Sequence, residues 1–512
     1  MTNNIPVIDL FAGPGGLGEG FSAYKKDVFK IKLSIEMNKE AHLTLELRSF
    51  FRQLRSNYKK VPQDYYNFLK GKITREKLFD LFPLESEYAK KEAWCAELGK
   101  IPVESLDSRI RVALKGRKDW LLIGGPPCQA YSLVGRSRVG GINKSDHRVY
   151  LYKEYLRTIA VHHPAVFVME NVKGLLSAKV DDESVFELIM RDLKDPGSVF
   201  ENVNSPKYKI FSLTTKAENF DKTGNPEYKK NSDYLIKSEN YGIPQRRHRI
   251  ILLGIRKDLE FSGKTILKKK PETKLGDVIG DLPVIRSIVS RRRTGFKVIE
   301  DKIKYQYEKI EDSDVTWLKY ITKFMKELSV DDSKTLTFDN SNGAMYIPVE
   351  KPEKIQKLIR WYKDSHIGGV CNHESRSHLL EDLKRYLFAS NYMSENGVSP
   401  KLRDYPDELL PDHKNARSGK FSDRFRVQNP DTPATTVTSH ISKDGHYFIH
   451  YDINQCRSLT VREAARIQTF PDNYYFCGPR TAQFHQVGNA VPPLLAKQIA
   501  EIVFKIIGDD NE

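Results

Sequence analysis

No stretch of this chain reaches the ~18 consecutive apolar residues that a membrane span requires, and no lipidation signal or amphipathic basic helix is present. Cysteine is scarce. The five that occur (Cys95, Cys128, Cys371, Cys456 and Cys477) are scattered, odd in number and never spaced as Cys-x-x-Cys. That excludes a disulfide framework and favours a reducing compartment. The opening Met1-Thr2-Asn3-Asn4-Ile5-Pro6 leads straight into an apolar segment, with no charged region before a long apolar one, so no signal peptide is expected. These absences predict a soluble, cytoplasmic protein without a membrane partner.

What is abundant is positive charge. Lysine and arginine total 83 against 67 acidic residues, a formal net charge of +16 that favours a polyanionic partner, nucleic acid ahead of a membrane surface. A lysine-rich surface kept for solubility would give the same total. The hydrophobic fraction of 39% is sufficient for real cores, and 512 residues accommodate about three domains or one large α/β domain with an insertion.

Chemistry first shows itself at Gly124-Gly125-Pro126-Pro127-Cys128-Gln129-Ala130-Tyr131-Ser132, directly after the buried-strand pattern Trp120-Leu121-Leu122-Ile123. Two glycines and two prolines keep regular structure out of the loop, so Cys128 is presented as a candidate nucleophile. Further on, Gly135-Arg136-Ser137-Arg138-Val139-Gly140-Gly141 suits a loop closing on phosphate, or simply a solvated linker.

Other candidate residues recur at strand ends. Pro6–Phe11 reads as a strand entering a glycine loop, in which Gly13, Gly15 and Gly18 have G-x-G-x-x-G spacing. A second strand over 31–35 ends at Glu36, about 20 residues beyond the glycines, where a carboxylate reaches a ribose diol. That fingerprint serves NAD, FAD or S-adenosylmethionine equally. Helical spacing over 150–163 stops at Pro164, and the strand Ala165–Met169 runs into Glu170-Asn171-Val172. The pattern predicts a doubly wound α/β sheet with Gly13, Glu36, Asp107, Cys128 and Glu170 at or just beyond strand carboxyl ends, the edge at which such sheets bind ligands. If strand 250–255 runs antiparallel to the rest, the preceding Gln245-Arg246-Arg247-His248-Arg249 joins the same edge.

Residues 43–100 read as an insertion of helices without assigned chemistry. Beyond Lys257 the pattern turns to short strands, loops and the basic clusters Lys268-Lys269-Lys270 and Arg291-Arg292-Arg293, with helices around 355–361 and 379–388. His366, Cys371, His373 and His378 cluster there, but His-x4-Cys-x-His-x4-His matches no common structural zinc site, and no metal is expected.

Taken together these segments resemble the cytosine-5 methyltransferases, particularly the bacterial restriction-modification type. The family's motifs occur here in its order: Asp9-Leu10-Phe11-Ala12-Gly13-x-Gly15-Gly16, Pro126-Pro127-Cys128-Gln129, Glu170-Asn171-Val172, Gln245-Arg246-Arg247-His248-Arg249, Arg457 to Gln468, and Gly488-Asn489-Ala490-Val491-Pro492. The likeness is poorest over the insertion before Lys100 and over the variable block. It implies a Rossmann-like S-adenosylmethionine-dependent catalytic domain, 1–265 plus 479–512, and a smaller irregular target-recognition domain, 266–478. Asp431 to Ser439 resembles the threonine-rich end of the family's recognition region.

By that resemblance Cys128 is the nucleophile adding to cytosine C6, Glu170 holds or protonates N3, Arg249 binds the O2 edge and Arg247 supports the pocket. The methyl donor is S-adenosylmethionine. Phe11, Ala12, Gly13, Gly15, Gly16 and Pro127 line its site, Glu36 binds the ribose, Met37 packs on adenine, Asp107 accepts from the adenine amine, and Asn489 returns to the first strand. The partner implied is double-stranded DNA, with the target cytosine flipped into the pocket. A monomer is expected, paired with a cognate restriction endonuclease because no regulatory extension precedes the first strand. The tRNA-methylating branch of the same fold is the nearer alternative, disfavoured by the large variable block. A non-catalytic DNA-binding regulator would have no need of Cys128, Glu170 and Arg249 together, and an NAD-dependent enzyme leaves the thiol without a role.

Overall fold

The computed structural model describes residues 4–127, 147–180, 182–299, 302–330, 341–349, 358–411 and 422–508. Its centre is an eight-stranded sheet built from β1 (Ile5–Leu10), β2 (Phe29–Glu36), β3 (Ala93–Cys95), β4 (Leu121–Gly124), β5 (Val166–Val172), β6 (Tyr208–Phe211), β7 (Leu235–Lys237) and β8 (His248–Arg256). The order is β7-β8-β5-β4-β1-β2-β3, with β6 pairing β8 as well. β1 to β5 run parallel, whereas β8 is antiparallel to β5, β6 and β7. The antiparallel β8 thus carries Arg249 to the edge where β5 ends.

The central strands are largely apolar because helices cover both faces. Along β1, Ile5 and Val7 enter a core with Phe21, Leu495 and Ile499, while Ile8 and Leu10 face Leu106, Ile110 and Ile159 on the other side. The first layer joins α1 (Gly16–Ser22) to the last helix, Pro493–Ile507, and Gly20 permits their contact: a Cβ there would lie 2.3 Å from the Pro493 carbonyl. The second layer holds α6 (Val103–Leu114) and α7 (His147–His162).

Between β2 and β3 the chain forms α2 (Lys39–Asn57), whose first turn is capped by Asn38 Oδ1 accepting from the Ala41 amide at 2.9 Å, then α3 (Gln63–Leu69), α4 (Arg75–Leu81) and α5 (Pro83–Glu92). Their core of Phe50, Tyr65, Leu78 and Phe79 also buries Ile367 and Cys371, which lie far along the chain. After β8 come α8 (Asp314–Glu327), not expected from the sequence, and α9 (Leu380–Asn396), which package Trp317, Leu383, Tyr386 and Phe425. Only a single turn, Ile359–Tyr362, is described where a helix over 355–361 was expected. Another core joins Leu275 and Val278 to Val437, Ala464, Phe470, Phe484 and Val487. Packing is therefore continuous across the expected boundary at 478. No described helix is long and apolar enough to cross a membrane.

Candidate functional site

The chain leaves β1 through backbone conformations that L residues rarely adopt. Phe11 and Gly13 both have φ of 57°, and Gly15 has 95°. The turn is tied to β2 by the Ala12 amide, which donates to the Ile35 carbonyl at 3.0 Å. Gly16 lies so close to the Val491 carbonyl that a Cβ would sit 2.3 Å from it, which brings the segment after Asn489 onto the glycine loop. Gly13 differs: among the described residues a Cβ there would meet nothing within 4 Å, leaving open space above the turn.

Glu36 ends β2 beside that space. Its Oε2 accepts from the Gly13 amide at 2.8 Å and its Oε1 from the Asn38 amide at 2.7 Å, so the carboxylate is aimed by backbone and keeps lone pairs for a ligand. Burial raises its pKa, and the amides of Asn38, Gly13 and Met37 oppose that rise. Met37 and Asn489 are both exposed at this edge. Below the loop Asp9 is fully buried, and among the described residues neither of its oxygens has a well-formed hydrogen bond, the Gly18 amide only weakly favouring its charge. Burial pushes its carboxyl up to about 8, with Arg52 opposing and Glu36 adding to the shift.

One expectation is corrected here. Asp107 is not at a strand end; it lies within α6, and its two oxygens accept from Arg157 at 2.9 and 2.7 Å and meet His162 Nε2 at 2.8 Å. Burial works against its charge, but the hydrogen bonds from Arg157 and His162 prevail and hold it at about 2. It is a clasp between α6 and α7. The acidic residue that does follow a strand is Glu97, just after β3, where the Ala96 amide donates to the Glu36 carbonyl at 3.1 Å and Lys100 pairs with the Glu97 carboxylate at 2.9 Å. Its signal, Ala93-Trp94-Cys95 before an acidic residue, is too short a strand to be read by periodicity.

Across the switch between β1 and β4, Glu170 on β5 and Arg249 on β8 meet with Nε to Oε1 at 2.9 Å. Their strands pair Arg249 with Val172 and Ile251 with Glu170, so the two side chains are diagonal neighbours on one face. A Cβ on Gly125 would lie 3.1 Å from Glu170 Oε2, so the loop leading to the thiol starts directly over this carboxylate. Pro126 is buried and Pro127 half-buried. Cys128 and the glycine-arginine loop 135–141 lie outside the described residues.

Arg247 points elsewhere. It is 3% exposed, and its Nη1 donates to the carbonyls of Val437 at 2.9 Å and Gly488 at 3.2 Å. Burial, then the neighbouring Arg249, lowers its pKa to about 9 against the pull of Glu170. Beside it Gln245 accepts from the Val437 amide at 3.1 Å and donates to Gln468, which in turn donates to the carbonyls of Val487 and Ala490 at 2.7 and 2.9 Å. A two-residue bridge, Gln245–Arg246 with Ala434–Thr435, completes this seam. Sequence reading placed Gln245 and Gln468 in motifs without giving either a task.

The histidine cluster disperses. His373 bonds to Thr460 Oγ1 and the Pro283 carbonyl, His378 to Ser458, and the Cys371 thiol lies against the Leu69 carbonyl. Among the described residues no group of histidine, cysteine and acidic side chains is arranged to hold a metal.

Comparison with known proteins matches residues 107–505 to the C-5 cytosine-specific DNA methylase family. The chain is 34% identical over 524 residues to the type II methyltransferase M.Bpa9945I of Bacillus paralicheniformis, covering 98% of this chain and 99% of that one. It is 28% identical to the DNA (cytosine-5-)-methyltransferase M.ApeKI of Aeropyrum pernix, over 76% of this chain and 81% of that one. Among solved structures, a putative DNA modification methyltransferase encoded within a prophage (E. coli) aligns with a TM-score of 0.51 at 17% identity, covering 99% of this chain and all of the other, a likeness of fold.

Proposed function

The chain belongs to the C-5 cytosine-specific DNA methylases and methylates cytosine in DNA, and within that activity we propose that Cys128, Glu170 and Arg249 carry the chemistry. The observation that carries the proposal is the Glu170–Arg249 pair lying under the start of the cysteine loop, so close that a Cβ on Gly125 would meet the carboxylate.

Cytosine C5 is too electron-poor to take a methyl group unaided. The Cys128 thiolate adds to C6, and the displaced electron pair makes C5 nucleophilic. Glu170 gives its proton to N3 as the adduct forms and recovers it as the adduct collapses. Arg249 donates to O2 of the base and, through Nε, holds Glu170 in place. After methylation, loss of the C5 proton expels the thiolate. Arg247 acts indirectly, tying β8 to Val437 and Gly488 so that Arg249 keeps its position. Because Cys128 cannot reach a stacked base, the cytosine is flipped out of the duplex.

S-adenosylmethionine, the donor implied by the family, supplies an electrophilic methyl sulfonium when bound. The residues present fit it. Phe11, Ala12, Gly13, Gly15 and Gly16 form a turn with room above Gly13, and Glu36 offers an oriented carboxylate to the ribose diol. Met37 would pack on the adenine, Glu97, which follows β3, would take the place of Asp107 beside the adenine amine, and Pro127 and Asn489 would close the sides. The recognition function falls to the region after residue 265, and the type II relatives support a role in shielding DNA from a cognate restriction endonuclease.

Incubation with labelled S-adenosylmethionine and mixed-sequence duplex DNA tests the assignment. Label in 5-methylcytosine that disappears in Cys128→Ser supports it; undiminished transfer by that variant overturns it.

A further inference from the structure

The glycine loop after β1 is fastened at three successive residues. The Ala12 amide donates to the Ile35 carbonyl at 3.0 Å and the Gly13 amide to Glu36 Oε2 at 2.8 Å, so two of the fastenings come from β2, the neighbouring strand. The third is made by Tyr474, whose hydroxyl donates to the Pro14 carbonyl from 460 positions further along the chain. α1 begins one carbonyl later, with the Glu19 amide donating to the Gly15 carbonyl at 2.8 Å. Pro14 is buried, so without the tyrosine hydroxyl its carbonyl would lack a donor.

Tyr474 is itself held from several sides. It is fully buried, with the rings of Phe470 and Phe476 at 4.7 and 5.5 Å between centroids and the Arg48 guanidinium at 4.7 Å from its own. Arg48, on α2, is fixed in turn by two bonds to the Glu19 carboxylate at 2.8 and 2.6 Å and by Asn473 Oδ1 at 2.9 Å. Burial pushes the pKa of the Tyr474 hydroxyl up, Glu19 adding to the rise and Arg48 opposing it, so the proton stays on the oxygen and is there to donate. The fit against the loop is close: a Cβ on Gly15 would lie 3.0 Å from Tyr474 Oη and 2.9 Å from Leu45 Cδ1.

Phe11, Gly13 and Gly15 all have positive φ, which Phe11 keeps only because its surroundings impose it. The open space above Gly13 depends on that shape. A loop set before its ligand arrives loses less conformational entropy on binding. We propose that Tyr474 is a positioning residue for the methyl donor: acting through the loop, its hydroxyl holds the Pro14 carbonyl and keeps the glycine turn in the shape that receives S-adenosylmethionine. The proposal rests on that donor being the cofactor. It also gives the helices between β2 and β3 a task, since their Arg48 braces the tyrosine.

Tyr474→Phe removes the hydroxyl and keeps the ring. Tyr65→Phe is the control, deleting another buried hydroxyl that donates to the Asn473 carbonyl at 3.3 Å and leaving Pro14 its donor. Each is compared with wild type below its melting transition, by calorimetric titration with S-adenosylmethionine, by amide hydrogen exchange over residues 11–19 without ligand, and by steady-state methyl transfer. In Tyr474→Phe the Kd and KM for S-adenosylmethionine rise about 3- to 10-fold and the loop amides exchange faster, while kcat at saturating cofactor and KM for DNA are kept. Tyr65→Phe matches wild type in all of these. A Tyr474→Phe protein with unaltered Kd and loop exchange overturns the proposal, as does an equal rise in Tyr65→Phe, which reports a loosened core. Wild type that takes up no S-adenosylmethionine overturns the cofactor reading and the proposal with it, whereas the other two results leave that reading standing.

Discussion

Arg249 Nε donates to Glu170 Oε1 at 2.9 Å across two antiparallel strands, so the acid and the cation of the proposed base pocket are held by adjacent sheet backbone rather than by loops. Each should depend on the other. Glu170→Gln keeps the shape but loses the transferable proton, and methyl transfer should fall by about 10²- to 10⁴-fold, with kcat taking most of the loss. Arg249→Ala removes a charge-assisted bond and should cost roughly 10- to 100-fold. Single-turnover kinetics on one duplex measures both.

Arg247 is expected to act on the fold before the chemistry. Arg247→Met leaves the Val437 and Gly488 carbonyls without their donor, at about 1–3 kcal/mol for each buried group. Thermal unfolding should move down by several degrees, and the residual activity of the folded fraction should exceed that of Glu170→Gln.

Glu36→Gln retains an acceptor but loses the negative charge that two backbone amides orient. KM for S-adenosylmethionine should rise roughly 10- to 100-fold while binding of DNA is unchanged. Asp107→Asn should do the reverse: the melting temperature falls and the cofactor KM stays the same. Asp107's pKa is held below its unfolded value, so its contribution to stability is present above pH 3.8 and fades as pH drops through about 2. The gap between Asp107→Asn and wild type should accordingly close in acid.

Asp9 gives the opposite pH signature. Burial raises its carboxyl to about 8, so the folded state holds a proton that the unfolded chain releases near 3.8. Its contribution is complete below pH 3.8 and lost as pH rises through 8. Asp9→Asn keeps the neutral form at every pH, and melting curves from pH 6 to 9 should show the variant losing less stability than wild type.

The motifs were legible because they are local: a strand followed by a glycine turn, or by Pro-Pro-Cys, writes its conformation into consecutive residues. The antiparallel β8 was legible as a condition, and pairing with β5 meets it. Asp107 was misplaced because distance along the chain from Pro127 said nothing about the helix around it or about Arg157 fifty residues on. β3 escaped notice because three residues show no period. The α8 pattern of Trp317, Ile321, Phe324 and Met325 is helical, yet it is embedded in charged sequence and its buried face becomes evident only against Leu383 and Tyr386. The antiparallel pair Ile288–Ile299 and Lys302–Lys309 left no alternation to read, since from Arg291 to Ile299 almost every residue is exposed.

The seam of Gln245, Arg247, Val437, Gln468 and Gly488 sets a rule for exchanging segments between relatives. Swapping the whole stretch to residue 478 would import a foreign partner for Gln245 and Arg247 and cut bonds that cross the sheet's edge. A graft ending before Asp431 leaves the seam intact but must still match Ile449, Ile453 and Cys456, which share the core of α8 and α9. The part of this enzyme that can be traded is therefore shorter than the stretch from 266 to 478.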